Sequence, residues 1–190
     1  MARNRPDRTR AEKSAEIVAI AQLLFLEKGY EATTMAAIAR QAGIATNVVH
    51  WYFASKDDLF VAALDGLQSE DLEEAQQRLS RASPGREGPR LEAVLTDFAC
   101  RRLGRYELIA TLHERSHHSP IVADFHERAH RRYGDSLDGA LDRFAIPPAE
   151  RKLVVEALTS AVEGLVMHRA SKREARRMMT FLAKRLVTDR

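Results

Sequence analysis

Residues 33–60 read TTMAAIARQAGIATNVVHWYFASKDDLF. Thr33 and Thr34 offer an N-cap for a short helix through Met35, Ile38 and Ala39, since a hydroxyl can accept from the free N–H groups of a first turn. Gly43 breaks that helix. A third short helix runs from Ala45 or Thr46 to Tyr52. Ser55-Lys56-Asp57-Asp58 has the form of a capping box, with Asp58 three residues after the Ser55 hydroxyl. It opens a long helix to about Leu79. Packing then assigns the side chains. Ile38 and Ala39 must face the preceding helix, Ala42 must be small where the short helices cross, and Ile44 plugs the core between them. Val49 and Phe53 face inward at i, i+4. Thr46, Asn47, Val48 and His50 are left facing out.

Two short helices joined by a glycine turn form a helix-turn-helix, whose second helix can enter a major groove. Upstream, residues 9–28 carry Ile17, Ile20, Ala21, Leu24 and Phe25 on one helical stripe, and Gly29 stops that helix. Residues 1–10 hold Arg3, Arg5, Arg8 and Arg10 and read as a flexible arm, either a solvated terminus or a phosphate or minor-groove contact. Downstream, residues 81–90 (RASPGREGPR) read as a loop. Helical patterns resume at 91–103, 105–117, 121–144, 148–169 and 172–188, with Pro120 and Pro147-Pro148 at helix starts. The expectation is an all-α chain of about nine helices.

Composition agrees. The 190 residues are 45% apolar and only 6% aromatic, a helical usage. The single cysteine, Cys100, excludes an internal disulfide and a Cys-based zinc finger, and reads as a small buried hydrophobe. No apolar run reaches membrane-spanning length and the first residues are polar, so the expected location is the cytoplasm, without a membrane partner. Of the 30 Lys/Arg and 27 Asp/Glu, eight and five fall in residues 1–56, leaving 22 of each in 57–190. The whole excess of +3 therefore lies in the first third, a basic head on a neutral body, which suits an anionic partner.

This segment closely resembles the TetR family of regulators. The resemblance rests on Gly29-Tyr30, Thr33-Thr34, Ile38-Ala39, Ala42-Gly43-Ile44, Tyr52-Phe53, Ser55-Lys56 and Leu59-Phe60, in order and at the family's spacing. It implies a helix-turn-helix domain over 1–54 and a helical effector-binding and dimerisation domain over 55–190. It also implies that Thr34, Tyr52 and Lys56 meet phosphates of double-stranded DNA while Thr46, Asn47 and Val48 approach bases. Three positions depart from the common pattern: Ala45 stands where many members have a capping Ser, Asn47 where many have Gly, and His50 where many have Tyr. Asn47 adds base-reading groups, Val48 can meet a thymine methyl, and His50 can still donate to a phosphate. Trp51 has two readings: packing between the recognition helix and the body, which we prefer, or stacking on the DNA backbone.

One such head makes too few contacts for tight specific binding, so a palindromic operator read by a homodimer is expected. Val154, Ala157, Leu158, Ala161, Val162 and Leu165 form one terminal stripe, and Met178, Phe181, Leu182 and Leu186 another. By resemblance these last two helices pair across a two-fold axis. The middle helices, 91–144, would enclose a small-molecule effector, with Phe98, Arg102, Tyr106, Ile109, His113, Phe125 and Tyr133 as candidate lining. The implied activity is ligand-responsive regulation, most often repression, with no cofactor.

Two segments match H-E-x-x-H: residues 113–117 (HERSH) and 126–130 (HERAH). On a helix the pair lies on one face, as a zinc metalloprotease requires. The metzincin extension is absent, because Pro120 and Ala123 stand where its glycine and third histidine would fall. A second possibility is a metal-responsive regulator, with His113, His117, His126 and His130 on antiparallel helices supplying four nitrogens.

Overall fold

The computed structural model describes residues 9–81, 87–142, 144 and 146–188. Among these are nine helices and no strand: α1 (Arg10–Ala32), α2 (Met35–Gln41), α3 (Thr46–Tyr52), α4 (Lys56–Ser80), α5 (Glu87–Gly104), α6 (Tyr106–Ser116), α7 (Pro120–Leu141), α8 (Pro148–Met167) and α9 (Lys172–Thr188). The arginines at 3, 5 and 8 lie outside the described residues, while Arg10 is the first residue of α1.

Local chemistry sets the boundaries of the head. Thr9 and Glu12 form a reciprocal capping box for α1. Gly29 takes φ 77° and ψ 172°, a conformation essentially reserved for glycine, and it interrupts the helical path three residues before α1 ends. Of the two threonines, Thr34 caps α2 by accepting from the Ala37 N–H. Thr33 is buried and donates to the carbonyls of Leu24 and Gly29, closing the chain over the end of α1. Gly43 turns the chain with φ 64°. Ala45 caps α3 without a side-chain bond, and the Ser55 hydroxyl accepts from the Asp58 N–H to start α4.

Two apolar clusters fill the interior. The first joins Ile17, Leu24, Phe25, Ile38 and Val49 of the head to Leu59 and Phe60 of α4, and continues into Leu108, Leu112, Val122 and Phe125 of α6 and α7. Phe25, Tyr30 and Phe60 interlock with centroids 4.9–5.8 Å apart. The packing of α4 against both α1 and α7 thus carries one core across residue 55. The second cluster packs α5, α8 and α9 around Leu91, Leu141, Leu158, Val162 and Met179.

Two sequence expectations about elements change. The stretch 81–90 is not all loop, because α5 starts at Glu87 with Pro89 in its first turn, where a missing N–H breaks no helical bond. Trp51 does not pack between α3 and the body. It is 61% exposed, since Val49 takes the inward position on that short helix.

Candidate functional site

The outward face of α3 holds Thr46, Asn47, Val48, His50 and Trp51, with Val48 the half-buried member. Trp51 meets the edge of Tyr52 at 4.8 Å, and the Arg10 guanidinium lies 4.5 Å from its ring centroid. Thr34 is exposed at the start of α2. Lys56 is held inward: its Nζ donates to the Tyr30 carbonyl at 3.0 Å and sits 3.9 Å from the Tyr30 ring centroid.

Behind this face, three elements meet at Asp57. Arg115 at the end of α6 donates twice to its carboxylate, Nε at 2.7 Å and an Nη at 2.6 Å. The Tyr30 hydroxyl donates to the same carboxylate. Arg115 also lies 4.6 Å from the Tyr30 ring centroid. Burial alone would raise the Asp57 carboxyl, but hydrogen bonds from Arg115, Tyr30 and Ser119 outweigh it and hold it at about 2. The Tyr30 hydroxyl is driven up by burial and by the adjoining Asp57. This latch ties the head to α6.

Further along, α4 to α7 line a small cavity, into whose wall Asp71, Arg102, Arg105, Ile109, Phe125 and Tyr133 enter. Asp71, on α4, is 3% exposed and pairs with Arg105 at 2.6 Å. Burial pushes its carboxyl up against the pull of Arg105 and Arg101. Arg102 donates to the Tyr133 hydroxyl at 3.2 Å. Of the residues expected to line a pocket, Arg102, Ile109, His113, Phe125 and Tyr133 do so. Phe98 lines a neighbouring apolar cavity against α8, and Tyr106 lies outside both, covered by the Arg169 guanidinium at 4.1 Å. Asp71 and Arg105 were not singled out from sequence. For Asp71 the signal is a charge four residues after Leu67 on the buried side of α4, whereas Arg105 caps α6 and carries no such signal.

The histidines regroup. His113, His126 and His130 come together, with ring centroids 4.6 Å apart for the first two and 4.7 Å for the last two. The fourth member is Glu163 of α8, whose Oε1 is 2.9 Å from His113 Nε2 and 3.4 Å from His130 Nε2. His117 is not part of the group: α6 ends at Ser116, and His117 is its exposed C-cap. Hydrogen bonds from His113 and His130 hold the Glu163 carboxyl well below the usual range. Burial, reinforced by His113 and His130, lowers His126 to about 4, so its imidazole is neutral at pH 7. The glutamates of the two H-E-x-x-H segments stand apart from the group. Both are exposed, and Glu127 pairs with Arg131.

The terminal stripes also divide. Leu158 and Leu165 are buried within the subunit, as is Val162, so these residues cannot form a surface between subunits. Among the described residues, the large apolar side chains left in solvent on α8 and α9 are Leu153, Met167, Met178 and Phe181, joined by the small Ala157, while Val154, Ala161 and Leu182 are half-buried.

A short helix presented by a trihelical head on a helical body defines a helix-turn-helix DNA-binding protein. Residues 17–63 match the family described as bacterial regulatory proteins, tetR family. The chain is 34% identical over 74 residues to the transcriptional regulator HbdR of Aromatoleum sp. (strain CIB), covering 39% of this chain and 31% of that one. It is 36% identical over 72 residues to the regulator TtgR of Pseudomonas putida, covering 38% and 32%. The matches thus span about a third of the length of these relatives. Over nearly the whole chain, the fold matches that of a TetR-family regulator from Mesorhizobium loti, with a TM-score of 0.70, 21% identity, and coverage of 94% and 97%. Residues 17–63 thus carry a domain of the tetR family, and the whole chain has the fold of the TetR-family structures. The metalloenzyme reading loses its general base, because Glu114 and Glu127 are exposed and stand outside the histidine group. No helix among the described residues is long and apolar enough to cross a membrane.

Proposed function

We propose that this chain is a ligand-responsive transcriptional regulator that binds a palindromic operator as a homodimer and is released from it by a small-molecule effector. The observation that carries this reading is the latch at Asp57. One helix, α6, lines the internal cavity through Ile109 and His113 and grips the head through Arg115. A ligand that displaces α6 therefore acts on α1 and α4 directly. It must favour the arrangement with poor DNA affinity, or no release follows.

In this reading residues 1–54 form the DNA-binding unit and 55–190 the sensing and pairing unit. Thr46, Asn47 and Val48 read bases, while Thr34, His50 and Tyr52 meet the backbone. Trp51 and Arg10, both at the exposed face, join the backbone contacts. Lys56 reaches a phosphate only by leaving Tyr30. Pairing buries Leu153, Ala157, Met178 and Phe181, and Gly164 has open space where a Cβ would stand. Repression is the sign that the family suggests.

Trp51 is the chain's single tryptophan, so its emission reports on the α3 face. Titration with labelled DNA from beside the gene should give saturable binding by anisotropy, with a parallel change in Trp51 emission. Affinity should fall steeply with salt as displaced counterions are released. Absence of binding at low salt would overturn the reading.

A further inference from the structure

Three helices that are distant in sequence converge on one point. α6 supplies His113, α7 supplies His126 and His130, and α8 supplies Glu163. Donor atoms of His113, His126 and Glu163 all lie within 4.8 Å of one another, and His130 Nε2 lies 3.4 Å from the same Glu163 oxygen. The His126 Nε2 is buried and has no hydrogen-bond partner. A buried imidazole nitrogen left unpaired is uncommon, because its desolvation is uncompensated.

We propose that His113, His126, His130 and Glu163 form a binding site for one late first-row divalent cation, of which Zn²⁺ is the representative. Three imidazoles and a carboxylate make a complete tetrahedral set for that class, and nitrogen donors disfavour Mg²⁺ and Ca²⁺. With Zn–N bonds of about 2.0–2.1 Å, tetrahedral donors stand about 3.3 Å apart. His113, His126 and Glu163 must therefore contract by at most about 1.5 Å, which side-chain rotation supplies, and His130 swings in from its bond to Glu163. His126 provides the free lone pair. His113 and His130 exchange their Nε2–H bonds to Glu163 for Nε2 bonds to the ion, and each Nε2 proton is released to the other ring nitrogen or to solvent as the ion binds. The nearby Arg102 donates to the Tyr133 hydroxyl and lies over its ring.

The site goes beyond the effector reading and does not depend on it. An ion here would tie α6 and α7 to α8, two residues along α6 from the latch arginine. It also differs from the ligand set expected from the two H-E-x-x-H segments, since Glu163 takes the place of His117.

The test uses the full chain without an affinity tag, stripped of metal by a chelator, and no DNA. Zn²⁺ is titrated in competition with a chromophoric chelator, and Co²⁺ is added separately to read its tetrahedral visible absorption. One ion per chain is expected, together with a rise in Tm on adding Zn²⁺. His126→Asn and Glu163→Gln should each weaken binding by more than about 100-fold, beyond the 10–100-fold typical for loss of a supporting partner. His117→Asn should leave it unchanged. Circular dichroism identifies a variant that fails to fold, and the other then carries the comparison. Zn²⁺ binding that survives both substitutions, binding that is lost in His117→Asn, or no stoichiometric binding to the parent chain would each overturn the proposal.

Discussion

Replacing Asp57 by Asn removes a charge while keeping the size of the side chain, and it strikes the point where the head, α4 and α6 meet. The Asp57 carboxyl, held at about 2 rather than 3.8, contributes roughly 2 kcal/mol of stability at neutral pH. Its side chain is 14% exposed and that of Arg115 28%, so solvent screens the pair only in part. The substitution also leaves the Arg115 guanidinium without its bidentate partner. We expect a loss of about 2–3 kcal/mol at pH 7, which for a chain of this length lowers Tm by about 5–10 °C. Urea unfolding followed by circular dichroism measures it. The pH dependence has a definite sign. A lowered folded-state pKa stabilises above about 4, and that contribution disappears as pH falls from about 4 to about 2. The gap between parent and variant should therefore close over that window. A double-mutant cycle with Arg115→Gln isolates the pair and should give a coupling of about 1.5–3 kcal/mol. Additive effects within about 0.5 kcal/mol, or a gap that persists at pH 2, would refute the latch as an energetic link between head and body.

Two further outcomes follow from the backbone and the surface. Gly29→Ala meets no steric neighbour at the added Cβ but must hold φ 77°, ψ 172°, so it should cost about 1–3 kcal/mol in urea unfolding; a neutral result would mean that this turn relaxes freely. Phe181→Glu places a charge on the exposed apolar face of α8 and α9, and should shift the protein from dimer to monomer in sedimentation at micromolar concentration while its circular dichroism is unchanged. An unaltered dimer would move the pairing surface elsewhere.

The head was legible because its determinants are local. Hydroxyl caps at Thr34 and Ser55 act on amides three residues on, and Gly43 sets its own turn. The inward spacing of Ile38, Val49 and Phe53 follows from helical periodicity alone. Nine helices and their proline starts could be read the same way. The start of α5 could not, because Gly88 and Pro89 weaken a helix interior yet are tolerated in a first turn.

Which face meets which neighbour was decided only by tertiary packing. The α8 stripe predicted for a second subunit is divided by α5 and α9, which bury Leu158 and Leu165 inside one chain. Periodicity identifies an apolar face but not its partner. Trp51 is left in solvent because Val49 already fills the space beneath α3. The histidine pairs were visible as i, i+4 repeats. His117 nevertheless drops out where α6 ends, and Glu163, 50 residues after His113, enters from a third helix. Likewise Arg115 finds Asp57 across 58 positions. Sequence spacing determines what one helix can present, whereas a bond between helices depends on how their axes cross, and that is set by the whole buried core at once.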